Sequence, residues 1–163
     1  MIGPMRVPSL YLDTSVIGGY FDDEFKEATR ELWRRMEQGK YRFATSVLTE
    51  QETQGAPEEV RDLMRRTFDQ PGRLLLLTED AIDLAQAYLG ASVVPPAYAD
   101  DARHVAIAVV HGINVVVSWN FKHLVNLRRA TAFNSVNLLQ GYPPVSIVSP
   151  LELVYDDEEE ESL

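Results

Sequence analysis

Cysteine is absent from this 163-residue chain. That excludes disulfide frameworks, thiolate-held zinc, iron–sulfur clusters and thiol catalysis. Also missing is any apolar run near the roughly 18 residues that a membrane span needs. Met1 to Pro8 holds one basic side chain, Arg6, and no apolar core segment, so no signal peptide is expected. Basic residues are scarce, 15 against 25 acids, for a net charge of −10. An acidic chain is a poor electrostatic match to nucleic acid, which draws basic surfaces. Six of the ten excess negative charges form one run, Asp156 to Glu161. Charges this dense repel one another and stay solvated, so residues 151–163 are expected to be a disordered acidic tail. With 45% hydrophobic residues, residues 6–150 can bury a full core as one domain. The expectation is a soluble cytoplasmic protein that does not touch a membrane.

What is present alternates between two periodicities. Ser9 to Asp13 reads as a short strand, and Gly18-Gly19 as a turn or loop. Glu24 to Gln38 repeats apolar residues at helical spacing and stops at Gly39. Tyr41 to Ser46 reads as a strand. Thr49 and Glu52 have the spacing of a capping box on a short helix. Pro57 opens a helix that runs to about Phe68. Arg73 to Leu77 reads as a strand, and Glu79 to Leu89 as a helix with Ile82, Ala85 and Leu89 on its apolar face. Ala102 to Val110 is apolar except for Arg103 and His104, which predicts a helix buried on most sides. Ile113 to Ser118, with three successive valines, reads as a central parallel strand buried on both faces. A helix from about His123 to Leu139 and a strand, Val145 to Val148, follow. Strands alternating with helices predict an α/β fold, a central parallel sheet flanked by helices on both faces.

Ligands in such sheets bind outside the carboxyl ends of the strands. Asp13 ends the first strand, and Asn120 lies just past the valine strand. Asp101 opens the buried helix, and Glu52 sits on the helix after the second strand. These four can converge on one rim. Carboxylates brought together cannot all stay ionised without a compensating cation. An all-oxygen acidic cluster suits Mg²⁺ or Mn²⁺. Such ions activate water and offset the charge of a phosphodiester, which is the chemistry of a metal-dependent nuclease.

Three segments carry a resemblance. YLDTSVIGGYF (Tyr11 to Phe21), SVLTEQE (Ser46 to Glu52) and DARHVAIAVVHGINVVVSWNFKHL (Asp101 to Leu124) resemble successive blocks of the PIN domain, the fold of VapC-type ribonuclease toxins. The resemblance runs over roughly Arg6 to Pro150. It implies a metal-dependent endoribonuclease that cleaves RNA with Mg²⁺ or Mn²⁺ held by Asp13, Glu52 and Asp101. It implies a supporting role for Thr14 or Ser15, a small antitoxin as partner, and a homodimer. It favours Glu52 over its rival Glu50 as the acid that follows Thr49. Many members carry a fourth acid where this chain has Asn120, so one position is neutral here.

Each position has a plainer reading. Asp13 can start a turn, Glu52 can serve only the capping box, and Asp101 or Asp100 can cap a helix. Asn120 can be a turn residue. His123 and Lys122 can touch a phosphate, whereas His104 reads as a hydrogen-bonded core histidine. Trp119 can stack on a base or pack the strand end. The pairs Arg34-Arg35, Arg65-Arg66 and Arg128-Arg129 read as solvated helix faces. Two other functions compete with nuclease activity. One is a PIN-fold RNA- or protein-binding module that has lost catalysis, supported by the neutral Asn120. The other is an aspartyl-phosphate phosphatase, which would need a second acid two residues after Asp13, where Ser15 stands.

Overall fold

A computed structural model describes residues 7–154. The acidic run Asp156 to Glu161 lies outside the described residues. Five parallel strands form one sheet: β1 (Ser9–Leu12), β2 (Arg42–Ser46), β3 (Leu74–Leu75), β4 (Val115–Val117) and β5 (Ser146–Val148). Their order is β3-β2-β1-β4-β5. Leu10, Tyr11 and Leu12 stand opposite Val115, Val116 and Val117. The helices are α1 (Thr14–Gly19), α2 (Lys26–Glu37), α3 (Val47–Glu52), α4 (Glu58–Thr67), α5 (Glu79–Gly90), α6 (Ala99–Val110) and α7 (Leu127–Gln140).

Side chains alternate across a strand, and β1 uses both faces. Leu10 and Leu12 pack on one face with Val16, Leu32, Trp33 and Leu63. Tyr11 packs on the other with Tyr88, Val105, Ile107 and Phe133. A core on each side is the expected α/β fold, with helices covering both faces of a parallel sheet. Trp33 and Tyr88 are both buried within it. Among the described residues no helix is long and apolar enough to cross a membrane.

Several local expectations change. Gly18-Gly19 is not a loop: it ends α1, which Asp13 caps. Gly19 is needed for close packing, because a Cβ there would lie 2.7 Å from Trp119 Nε1. No capping box joins Thr49 to Glu52: Ser46 caps α3 and Thr49 is buried inside it. Pro57 is the cap of α4 rather than its first residue. On α5 the buried residues are Ala81, Leu84, Ala85 and Tyr88, while Ile82 is exposed. The last helix starts at Leu127 instead of His123, because the Asn126 side chain accepts from Arg129 N–H at 2.9 Å and caps it. The folded chain also passes the expected boundary at 150. A 3-10 turn at Pro150–Leu153 follows, and Arg35 Nη2 donates to the Val154 carbonyl at 2.9 Å. Arg35 is therefore a buried tie rather than part of a solvated face. Arg129, which donates to the Val93 carbonyl, is likewise a tie.

Candidate functional site

The strand order reverses between β1 and β4, and the crevice of an open α/β sheet lies at that point. Asp13 sits there. Its N–H donates to the Val117 carbonyl at 3.2 Å, so β4 still grips the chain as β1 ends. As the cap of α1, its Oδ1 accepts from Val16 N–H at 3.3 Å and from Ser15 Oγ at 2.6 Å. Burial raises the carboxyl above its ordinary range, opposed by nearby His104 and by hydrogen bonds from Ser118, Ser15 and Val16. Ser15 also accepts from Trp119 N–H at 2.9 Å, which ties α1 to the chain leaving β4.

Asp101 lies in the first turn of α6, three residues past the Tyr98 cap, so it is neither the cap nor an interior residue. Its carboxyl is pushed up to about 6, first by burial and then by the negative charge of Asp13; His104 opposes the rise, and Glu52 and Asp100 add to it. Asn120 Nδ2 donates to Asp101 Oδ2 at 3.2 Å. The Asn120 carbonyl oxygen accepts from His123 N–H at 3.0 Å. A backbone N–H can only donate, so it fixes which end of the amide faces Asp101. Asn120 therefore turns a donor, not a carbonyl, toward the acids.

Glu52 ends α3 with its carboxylate exposed. His104 Nε2 lies 2.7 Å from Glu52 Oε1, and Thr14 Oγ1 donates to the same oxygen at 3.1 Å. Thr14 thus supports Glu52, while Ser15 supports Asp13. Glu50 is elsewhere: it lines a separate cleft with Arg61, Arg65 and Phe68. The His123 ring is buried and stacks on Tyr98 with centroids 3.9 Å apart. Neither ring nitrogen has a hydrogen-bond partner, and burial lowers its pKa. That ring is closed to a phosphate, so its backbone does the work at Asn120. Trp119 packs the strand end: it stacks on Phe25 at 4.3 Å and its Nε1 donates to Thr29 Oγ1 at 3.0 Å.

Asp13, Glu52, Asp101 and Asn120 thus meet on one rim through Thr14, His104 and the Asn120 amide. Hard carboxylate oxygens, one of them on Asp101 raised by its acidic neighbours as well as by burial, suit a divalent cation in donor chemistry and charge. Among the described residues, however, no three His, Asp or Glu side chains are grouped closely enough to hold a metal ion. The acids feel one another's charge without closing into a cage. His104 is the participant that sequence reasoning left in the core. Its signal was present: three residues after Asp101 on a helix places it on the same face. Tyr11, two residues before Asp13 on a strand, shares a face with it in the same way.

No protein-family model and no curated protein matches the chain. Solved structures do. A chain of FitAcB from Neisseria gonorrhoeae is 15% identical with a TM-score of 0.54, over 87% of this chain and 98% of that chain. A chain of FitAB bound to an IR36 DNA fragment is 17% identical with a TM-score of 0.54, over 86% and 94%. A chain of VapBC2 from Rickettsia felis, bound to a promoter DNA fragment, is 9% identical with a TM-score of 0.54, over 86% and 98%. At these identities the likeness is one of fold, and it is the PIN-like α/β fold expected from the three segments.

Proposed function

We propose that this chain is a divalent-metal-dependent endoribonuclease of the PIN type, acting in the cytoplasm as the toxin of a toxin–antitoxin pair. The observation that carries this reading is the convergence of Asp13, Glu52 and Asp101 at the switch point of the sheet, with Asp101 raised first by burial and further by the charges of the other two. Such mutual repulsion favours a bound cation. The FitAB and VapBC2 assemblies, each with a chain of this fold, support a small protein partner. A homodimer belongs to the same reading and is checked by light scattering.

In this reading Asp13, Glu52 and Asp101 hold Mg²⁺ or Mn²⁺. The chemistry the ion supplies when bound is activation of water and compensation of phosphodiester charge. Thr14 and His104 keep the Glu52 carboxylate turned inward. Asn120 orients the Asp101 carboxylate through its Nδ2 and adds no charge that would repel RNA. Ser15 and the Val16 N–H hold Asp13 in one rotamer. Positioning of this kind is what a phosphodiester site asks of its protein groups.

The test is cleavage of single-stranded RNA by the full chain with Mn²⁺, with Mg²⁺ and with EDTA, alongside thermal melts in each. Metal-dependent cleavage is expected, with a melt raised by the ion. At roughly 100-fold excess over Kd the added stability is about 2.7 kcal/mol. RNA binding without cleavage, and a melt unchanged by metal, would replace the nuclease reading with the binding module. That second reading draws on the neutral Asn120.

A further inference from the structure

His104 is almost wholly buried, at 2% exposure, yet both its ring nitrogens face hydrogen-bonding partners. Nε2 faces Glu52 Oε1 at 2.7 Å. Nδ1 faces the Tyr11 hydroxyl at 2.6 Å. Tyr11 Oη lies 2.7 Å from Ser46 Oγ, and Ser46 Oγ accepts from Leu48 N–H at 3.2 Å. These residues come from β1, β2, α3 and α6, so the chain of bonds crosses the core beneath the rim.

The bonds have a direction. Leu48 N–H can only donate, so it occupies one lone pair of Ser46 Oγ. Ser46 Oγ has a second lone pair, so that bond alone does not orient it. The direction comes from Glu52, whose carboxylate oxygen can only accept and so takes the proton of His104 Nε2. That leaves Nδ1 to accept from Tyr11, and Tyr11 to accept from Ser46. The opposite sense would set the bare Nε2 lone pair against Glu52 Oε1, with no proton between them. Each polar atom in the chain then has a partner, as a buried network requires.

We propose that His104 is the positioning residue of Glu52, its tautomer set between the Glu52 carboxylate on Nε2 and the Tyr11 hydroxyl, itself paired with Ser46, on Nδ1. This inference rests on the reading of Glu52 as an acid that holds the ion. Glu52 is otherwise an exposed side chain at a helix end, free to sample several rotamers. The Nε2–H and the Thr14 hydroxyl together confine it. Outer partners of this kind are worth roughly 10- to 100-fold in metal affinity or activity when removed.

The experiment begins with the full-length, metal-free protein labelled with ¹⁵N-histidine. NMR is expected to show His104 protonated on Nε2 with Nδ1 as acceptor. A proton on Nδ1 would overturn the proposal. Tyr11→Phe and His104→Gln are then titrated with Mn²⁺ by calorimetry, and RNA cleavage is measured on each. Tyr11→Phe should mix the tautomers, lower Mn²⁺ affinity by roughly 10-fold or more, and lower kcat without changing KM for RNA. His104→Gln, which keeps a donor and an acceptor, should recover part of what His104→Ala loses. Wild-type affinity and kcat in folded Tyr11→Phe and His104→Ala would overturn the proposal. Should these variants fail to fold, the wild-type tautomer decides it. Absence of RNA cleavage by the wild type would overturn the nuclease reading instead, and the metal titrations would still judge the role of His104.

Discussion

The two flanks of the rim are built on different principles. On one flank, Glu52 is exposed and receives two side-chain donors, from His104 and Thr14. On the other, Asp13 is buried and Asp101 half-buried, and both are raised by that burial. The first flank holds a carboxylate in place by hydrogen bonds at little electrostatic cost. The second also holds its carboxylates by hydrogen bonds, Asp13 from Ser15 and the Val16 N–H and Asp101 from Asn120, but there burial outweighs them and raises both. The difference teaches where an ion would be drawn and where it would be aligned. Buried charge that its donors do not offset attracts the cation, and the more exposed charge that donors confine fixes the direction of the third ligand.

The sharpest way to break this comparison is to neutralise one acid on each flank. Asp13→Asn should lower RNA cleavage by roughly 1,000-fold, the several kcal/mol that a held ion contributes. It should leave the metal-free fold at least as stable, since it removes a buried charge. Glu52→Gln should lower cleavage less, because the Thr14 and His104 contacts can still place its carbonyl. Both are read by single-turnover kinetics and thermal melts. Equal losses would mean the flanks do not differ in kind.

Gly19→Ala tests whether the second flank can be disturbed alone. Its Cβ would meet the Trp119 ring at 2.7 Å and Thr29 Oγ1 at 3.1 Å. Overpacking of this kind costs about 1–3 kcal/mol. The loss should appear in denaturant melts, with shifted NMR signals at Asn120 and unchanged ones at His104. Movement at both would mean the flanks are mechanically one unit.

A smaller effect follows from pH. A carboxyl raised to about 6 in the folded chain binds its proton more tightly there than when unfolded. Between its ordinary range near pH 4 and about pH 6 the folded state therefore holds more protons, and stability falls as pH rises. Above that window the loss is complete. In EDTA, the wild type minus Asp101→Asn difference in melting temperature should decline across pH 4 to 6 and then level. A flat difference would show that Asp101 is not held up by its neighbours.

The smallest effect is expected at Asn120→Asp. It replaces a donor to Asp101, now at 3.2 Å, with a like charge. The metal-free protein should melt lower, and Mn²⁺ should bind a few-fold tighter, as a fourth carboxylate adds attraction. Calorimetry without RNA reads both. Unchanged affinity would confine Asn120 to its turn, where it accepts from His123 N–H.

How much of this was legible in the sequence depended on the range of each interaction. Asp13 and Asp101 were legible because strand ends and helix starts are local features. The sheet followed from Val115 to Val117 and from Ser9 to Leu12, whose apolarity admits few alternatives. Asn126 marks the start of the last helix by local chemistry alone, its side chain accepting from the N–H three residues on. Gly18-Gly19 is a different case. Glycine marks turns, but here it admits Trp119, a hundred residues away in sequence, and spacing within a segment carries no trace of that. The bond from His104 to Glu52 spans 52 positions, and the one from Tyr11 to His104 spans 93. Side-chain meetings at such separations are decided by the register of the sheet, which one sequence does not display.

The strand order has a consequence in time as well as in space. Because β4 lies beside β1 in the sheet, the rim draws on the start of the chain and on a stretch beyond its middle. A nascent chain synthesised only as far as Pro95 already carries Asp13, Glu52, Tyr11 and Ser46. It lacks Asp101, His104 and Asn120, and the edge of β1 that β4 will cover is still open. Domains fold as units during synthesis, and pairings between distant segments form late. The acids can then assemble only after most of the chain has left the ribosome. On the nuclease reading, the site has no complete set of side chains until synthesis has passed Asn120.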